Sequence, residues 1–356
     1  MEIKITKAGE SERRPMLPKG TDYGFGRYFT DHMFEMDWHD GRWNDPRIVP
    51  YKNLSLDPAA MVFHYAQAIF EGMKAYRGKD GGIYLFRPMK NMERMNNSAR
   101  RLVMPEFDAD LVMQGMEKLV LLDRDWIPEK RGESLYIRPT MIATEPALGV
   151  KPSGTYLFFI IVGPVAAYYP TGFNPVKIHV ADEHVRAVRG GIGESKAAAN
   201  YAASLYAAEK AKKAGYTQVL WLDAVDRKSI EEVGTMNIFF LFDNELVTPP
   251  LKGSILPGVT RDSVIKVASD FGVKVVERAI TIDEVCSGAE KGALKEVFGT
   301  GTAAVISPVC EISYKGKTYK VGDGTTGELS KKLFNYLLSL QYGEIPDPYG
   351  WVKKIG

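Results

Sequence analysis

The chain has 356 residues, with 46 Lys and Arg against 44 Asp and Glu for a formal charge of +2, and 45% of it is hydrophobic. That length is about two ordinary domains, and balanced charge without long single-sign runs excludes a phosphate-backbone binder and a polybasic membrane-surface protein. Two cysteines, Cys286 and Cys310, cannot form a disulfide scaffold or a four-ligand zinc site. The histidines, His32, His39, His64, His179 and His184, show no HExxH spacing, so no metal is expected. The longest apolar run, starting at Leu157, is too short to span a bilayer. The first residues lack the apolar core of a signal peptide, so a cytoplasmic, reduced protein is expected.

In chain order, residues 72–77 and 83–87 flank an Asp80-Gly81 turn and read as a hairpin ended by Pro88. Residues 91–102 predict a helix with Met92, Met95 and Ala99 on one face, and 108–122 predict a second. Residues 135–138 and 156–162 read as strands. Residues 168–175, with Pro170, Gly172 and Pro175 and no periodicity, read as a linker. Next come a strand at 176–180, the glycine-rich stretch 189–195, and an alanine-rich helix over 196–214, capped by Ser195 and closed by Gly215. Strands follow at 218–222 and 237–242, then a helix over 260–271 and a strand at 295–298 that enters a glycine turn. The expected organisation is two α+β domains, 1–165 and 181–356, joined by a linker over 166–180, with no repeat or low-complexity tract.

Three segments suit an anion. The stretch Gly190-Gly191-Ile192-Gly193-Glu194-Ser195-Lys196 lacks the Gly-Lys-Ser/Thr ending of a P-loop, which disfavours a nucleoside triphosphatase. Gly299-Thr300-Gly301-Thr302-Ala303-Ala304 matches GxGxxA, but Val305, Ile306 and Pro308 follow where a dinucleotide fold needs a helix. A tight turn of amides with two threonine hydroxyls still suits an anion. Pro257-Gly258-Val259-Thr260 opens a helix, whose first N–H groups attract negative charge. For each, an ordinary turn or cap is the alternative.

Lys196 is expected in the first turn of its helix, with small Ala197, Ala198 and Ala199 behind it. The helix dipole disfavours a cation there. It is either one more solvated surface lysine or an amine with a lowered pKa that attacks a carbonyl to form a Schiff base. Pyridoxal phosphate chemistry would need a carboxylate on the pyridine nitrogen, for which Glu232 is placed between a turn and a strand. It would also need phosphate donors, such as Arg94 and the loops above, and a phenol, such as Tyr201.

With those residues assembled, the chain resembles the branched-chain amino-acid aminotransferases, pyridoxal phosphate enzymes of fold type IV. The resemblance rests on Phe70-Glu71-Gly72-Met73-Lys74-Ala75, Leu85-Phe86-Arg87-Pro88 with Asn91-Met92-Glu93-Arg94-Met95, and Leu135-Tyr136-Ile137-Arg138-Pro139. It continues through Glu232-Val233-Gly234-Thr235-Met236-Asn237, Leu256-Pro257-Gly258-Val259-Thr260-Arg261 and Phe298-Gly299-Thr300-Gly301-Thr302-Ala303. The resemblance implies an α+β / α/β fold of two domains, a small N-terminal one and a large C-terminal one carrying the Schiff-base lysine, with pyridoxal 5'-phosphate in the cleft between them. Lys196 matches that lysine, Tyr201 the cofactor-contacting tyrosine, Glu232 the acid on the pyridine nitrogen, and Arg94, Val259, Thr260 and Thr302 the phosphate cradle. Phe25, Tyr65, Phe70, Tyr136, Tyr168, Thr235 and Met236 match the substrate pocket, Thr302 and Ala303 the turn facing the α-carboxylate, and Arg138 the arginine for glutamate's side chain. Leu148 and Val150 match a loop reaching a neighbouring subunit, which implies a homodimer.

The implied reaction is transamination between leucine, isoleucine or valine and 2-oxoglutarate. A D-amino-acid aminotransferase, an aminodeoxychorismate lyase and a non-catalytic phosphate-ligand binding protein are the alternatives. Mammalian members carry a CxxC after the glycine turn, where this chain has Ala304 and Ser307. Thiol switching of that kind is therefore not expected. His32 is expected to be structural.

Overall fold

The computed structural model describes residues 1–18, 20–166 and 173–356. Two units divide the chain: Met1–Pro170 with Ser195–Ala199 and Ser339–Gly356, and Thr171–Glu194 with Asn200–Leu338.

In the first unit, the strands are β1 (Lys4–Ile5), β2 (His32–His39), β3 (Arg42–Pro50), β4 (Ala68–Phe70), β5 (Met73–Arg77) and β6 (Ile83–Phe86). Helix α1 is Met61–Tyr65, α2 Pro88–Arg101 and α3 Ala109–Leu122; β7 (Ser134–Ala143) and β8 (Tyr156–Val165) complete the run. Among the described residues these strands and the C-terminal strand Val352–Lys354 form one nine-stranded sheet, ordered β1-β3-β2-β8-β7-β5-β6 and then the C-terminal strand, with β4 on β7. All its pairs are antiparallel except β1 with β3. Helices α2 and α3 form because their apolar residues recur at helical spacing, which buries Met92, Met95 and Ala99 of one and Val112, Met116 and Leu119 of the other. They join Phe34, Met36 and Phe158 from the sheet, and each such side chain contributes about 1.5–3 kcal/mol on burial. Pro88, expected to end the hairpin, does follow the end of β6 at Phe86 and occupies the first turn of α2, where its missing N–H costs nothing. Asp108 caps α3 by accepting from Asp110 N–H at 2.9 Å.

In the second unit, β9 (Val176–Ala181) is followed by α4 (Ala198–Lys213), β10 (Gln218–Leu222), β11 (Ile230–Val233), β12 (Asn237–Phe242) and β13 (Leu246–Thr248). Then come α5 (Val259–Asp270), β14 (Val275–Glu277), α6 (Ile282–Glu290), β15 (Leu294–Gly301), β16 (Val305–Tyr314), β17 (Lys317–Lys320) and α7 (Glu328–Gln341). The sheet runs β11-β10-β9-β16-β15-β12-β13-β14, with β17 on β16. Trp221, Phe239, Phe240 and Phe298 are fully buried there, and the Phe239 and Phe298 rings stack at 5.3 Å.

The units differ in their bounds from the expected domains: Ala197 bridges Ile69 and Val352–Lys354 pairs with β6, and Ser195–Ala199 and Ser339–Gly356 group with the first unit. Two local expectations need correction. The helix expected from residue 196 begins at Ala198. The expected glycine turn is instead mostly strand: Gly299, Thr300 and Gly301 belong to β15, and the chain turns only at residues 302–304. Of the linker expected over 166–180, residues 167–172 lie outside the described ones and Val176–Ala181 is a strand.

Candidate active site

Within the first unit, Lys196 lies ahead of its helix in an extended segment. Its backbone N–H donates to Ser98 Oγ at 2.9 Å, and its C=O accepts from Phe70 N–H at 3.1 Å. Pairing with β4 replaces the helical turn, and α4 starts two residues later. Its ammonium stands 5.1 Å from the centre of the Phe70 ring. On the same ring lies the Arg138 guanidinium, at 4.7 Å.

Strand β7 sets the wall. Residues 136 and 138 share one face of the strand by its two-residue period, and both are partly exposed while 135, 137 and 139 are buried. Arg138 Nη2 donates to the Tyr136 hydroxyl at 2.9 Å, and Phe25 packs edge-on against the Tyr136 ring at 4.9 Å. Gly72 is required here, since a Cβ would strike that hydroxyl. Arg138 Nε is buried and makes no hydrogen bond among the described residues. An arginine held by one nitrogen, with a second donor uncommitted, suits a carboxylate.

Arg94, on α2, is clasped by Glu71: Nε and Nη2 donate to its two oxygens at 2.7 and 2.9 Å. Asn91 Nδ2 and the Gly72 N–H add bonds of 2.8 and 3.1 Å. Burial alone would raise the Glu71 carboxyl, but Arg94, with help from Lys196 and Asn91, holds it below its ordinary value. Phe70 thus links Lys196 to Arg138, Arg138 leads on to Tyr136 and Phe25, and Arg94 is one carboxylate away.

Tyr65 ends α1 and donates its hydroxyl to the Leu148 carbonyl. Leu148 and Val150 are strongly exposed, at 65% and 86%. Tyr168 lies outside the described residues. His32 is structural: its Nδ1 lies 2.5 Å from Asp123 Oδ1, and its Nε2 accepts from the Ala8 N–H at 2.8 Å. The imidazole therefore ties the N-terminal segment to the sheet.

The second unit holds the other expected groups. Glu232 is buried on β11, with Arg186 Nε 2.6 Å from Oε2. Oε1 accepts from Asn237 Nδ2 at 3.2 Å and from Leu256 N–H at 3.0 Å. For its neighbour Glu231, burial raises the carboxyl, only partly offset by the Ser254 hydroxyl and Arg186.

Asn237 also serves the anion loop. A Cβ on Gly258 would collide with Asn237 Oδ1, so the start of α5 is seated on the same amide that holds Glu232. Val259 and Thr260 form the first turn of α5, where Gly258 supplies no side-chain cap. Thr235 occupies a two-residue turn closed by paired bonds of 2.9 Å between Val233 and Met236. The Met236 side chain covers Gly299 and Gly301 of β15. Thr302 and Ala303 begin the turn after β15 and are partly exposed, and the buried Thr300 hydroxyl has no hydrogen-bond partner among the described residues. Tyr201 is partly exposed on α4.

The sequence reading missed Arg186, Ser98 and the role of Glu71. Arg186 carries no local motif, whereas Ser98 follows Arg94 by four, a helical spacing that puts both on one face. Among the described residues no cluster of His, Cys, Asp and Glu could hold a metal ion, and no helix is long and apolar enough to cross a membrane.

Comparison with known proteins places the chain in a family. The class IV aminotransferase family model matches residues 68–312, and the chain belongs to that family. Within it, the similarity is to branched-chain members. The chain is 53% identical to branched-chain-amino-acid transaminase 1 of Bacillus subtilis over 340 residues, 95% of this chain and 96% of that one. Among solved structures, the branched-chain amino acid aminotransferase of Escherichia coli is 27% identical with a TM-score of 0.74, covering 90% of this chain and 99% of that one. The branched-chain aminotransferase of the archaeon Thermoproteus uzoniensis, solved with norvaline, is 26% identical, with a TM-score of 0.75 over 91% and 100% of the two chains.

Proposed function

We propose that this chain catalyses reversible transamination of L-leucine, L-isoleucine and L-valine with 2-oxoglutarate, using pyridoxal 5'-phosphate. The observation that carries the reading is Lys196: an amine whose peptide is bonded on both sides and which shares the Phe70 ring with an arginine. The family and the branched-chain relatives support the same reaction and disfavour a D-amino-acid aminotransferase, an aminodeoxychorismate lyase or a binding protein.

The donor set fits the cofactor. Lys196 would hold its aldehyde carbon, Glu232 its pyridine nitrogen and Tyr201 its ring oxygen. Arg94, the Val259 and Thr260 amides and Thr302 would hold its phosphate, and the Thr300 hydroxyl before that turn is a further polar atom with no partner among the described residues. When bound, this group supplies an electron sink for the bond broken at the substrate Cα. The chain's own task is then proton movement and positioning. The Lys196 amine moves the proton from Cα, while Arg186 positions Glu232.

Phe25, Phe70, Tyr136 and Met236, with Tyr65, Tyr168 and Thr235, would line the substrate pocket, where rings and a thioether stabilise a branched side chain by burial. Arg138 and the Tyr136 hydroxyl would receive the side-chain carboxylate of glutamate, and Thr302 and Ala303 the α-carboxylate. A homodimer goes with this reading, the exposed Leu148 and Val150 reaching the neighbouring subunit.

The test is Lys196→Ala. It should fold, fail to turn over leucine with 2-oxoglutarate, and lose the visible band that borohydride abolishes in the wild type. Turnover at wild-type rate in that variant, or D-alanine as the preferred substrate of the wild type, would overturn the reading.

A further inference from the structure

The bonds around Lys196 close into a ring. The Lys196 N–H donates to Ser98 Oγ at 2.9 Å, and Ser98 in turn donates to the Arg94 carbonyl at 3.0 Å. The Arg94 side chain grips Glu71 through two nitrogens at 2.7 and 2.9 Å. Phe70, one residue before Glu71, returns its N–H to the Lys196 carbonyl at 3.1 Å. Ser98, Glu71 and Arg94 are at most 7% exposed, so none of these three exchanges its partner for water at low cost.

We propose that Ser98 and Glu71 are positioning residues that lock the Lys196 peptide and the Arg94 guanidinium into one frame. The inference rests on the reading of Lys196 as the cofactor-bearing amine. A lysine ammonium rides on a flexible four-carbon stem and sets none of its own alignment, so its aim depends on how firmly the peptide beneath it is held. Ser98 suits the task because one hydroxyl both accepts and donates. A serine that merely back-bonds within its helix would donate to Arg94 but would have no reason to receive the Lys196 amide. Glu71 matters as the link that makes the ring continuous: it ties the side chain expected to hold phosphate to the strand that holds the lysine. Shifting either residue would then shift both ends of a bound cofactor together.

The experiment compares wild type, Ser98→Ala, Ser98→Thr and Glu71→Gln in two states. In the cofactor-free proteins, hydrogen exchange is followed at the Lys196 amide. Ser98→Ala should speed it by roughly fivefold to tenfold, the loss of one ordinary hydrogen bond, and Ser98→Thr should restore it. In the loaded proteins, Ser98→Ala and Glu71→Gln should lower kcat for leucine by about tenfold or more with KM little changed, the signature of lost alignment rather than lost binding. Wild-type exchange at Lys196 in Ser98→Ala would overturn the proposal, as would wild-type kcat in both variants. Should Ser98→Ala not fold, Ser98→Cys repeats the test with a poor acceptor of similar volume. Borohydride labelling of wild-type Lys196 is measured alongside. Its absence would overturn the proposed function itself, whatever the exchange data say of the ring.

Discussion

Lys74 stands on β5 opposite Tyr136 of β7, inside the first unit's sheet and only 7% exposed. Burial lowers its ammonium from 10.5 to about 8. In the unfolded chain a lysine titrates near its ordinary value, about 10.4. Between those two values the unfolded state binds more protons than the folded one, so stability rises with pH across that window. Below it, the folded state carries a disfavoured charge; a lowering of about 2.5 units corresponds to roughly 3 kcal/mol. Lys74→Met keeps the length and removes the charge. The stability of the variant relative to wild type should therefore be about 3 kcal/mol more favourable near pH ~7 than well above the window, with most of that difference gone by pH ~10. The assay is urea unfolding of both cofactor-free proteins across that range, scored as the difference between them so that other titrations cancel. A difference that does not change with pH would refute the argument that burial of this amine sets its titration.

Four further outcomes follow from the geometry. Arg138→Gln should cut kcat/KM for glutamate by about 10- to 100-fold, the scale of a lost charge-assisted bond, while leucine changes little; parallel steady-state assays decide it. Gly72→Ala should push Tyr136 off Arg138, imitating that selectivity loss and costing about 1–3 kcal/mol in thermal unfolding. Glu71, held below its ordinary value, contributes stability that is present above the unfolded carboxylate pKa and lost as pH falls through the folded one; Glu71→Gln should remove that acid-side slope. If the proposed homodimer forms, Leu148→Asp combined with Val150→Asp should shift its sedimentation toward monomer, and unchanged sedimentation would overturn the proposed place of this loop at the neighbouring subunit.

Helices with a clean apolar stripe were legible in sequence, because 3.6-residue periodicity and caps are local: α2, α3 and α5 came within a few residues of their observed bounds. Other elements carry signals that are just as local. The turn His39-Asp40-Gly41-Arg42 between β2 and β3 carries the same Asp-Gly signal as the one between β5 and β6, with both central residues at positive φ. Thr281 and Glu284 spell a capping box for α6, and the Glu284 N–H does donate to the Thr281 hydroxyl at 3.1 Å. Short strands such as β4 and β13 were not legible, since three residues carry no usable period and pairing partners lie far along the chain.

The misplacement of Lys196 shows what local reading misses. Ser195 followed by alanines is a good helix start on propensity, and α4 does begin two residues later. What displaces the start is a strand end from over 120 residues upstream: Ile69 pairs with Ala197 and Phe70 with Lys196. A lysine on a helix end would have its amine aimed by the helix alone, whereas an extended lysine bonded to β4 and to α2 is aimed by residues whose motifs were read separately. The Phe-Glu-Gly and Asn-Met-Glu-Arg segments thus meet at one carboxylate, Glu71, because Arg94 needs a buried counterion and Lys196 needs a backbone partner. The same logic runs through Asn237 in the second unit, whose side chain serves Glu232 and whose bulk forces glycine at 258. In both units the residues expected to touch the cofactor were recognisable by chemical type. The residues that hold them in place were recognisable only once chain-distant segments were seen to share a hydrogen bond.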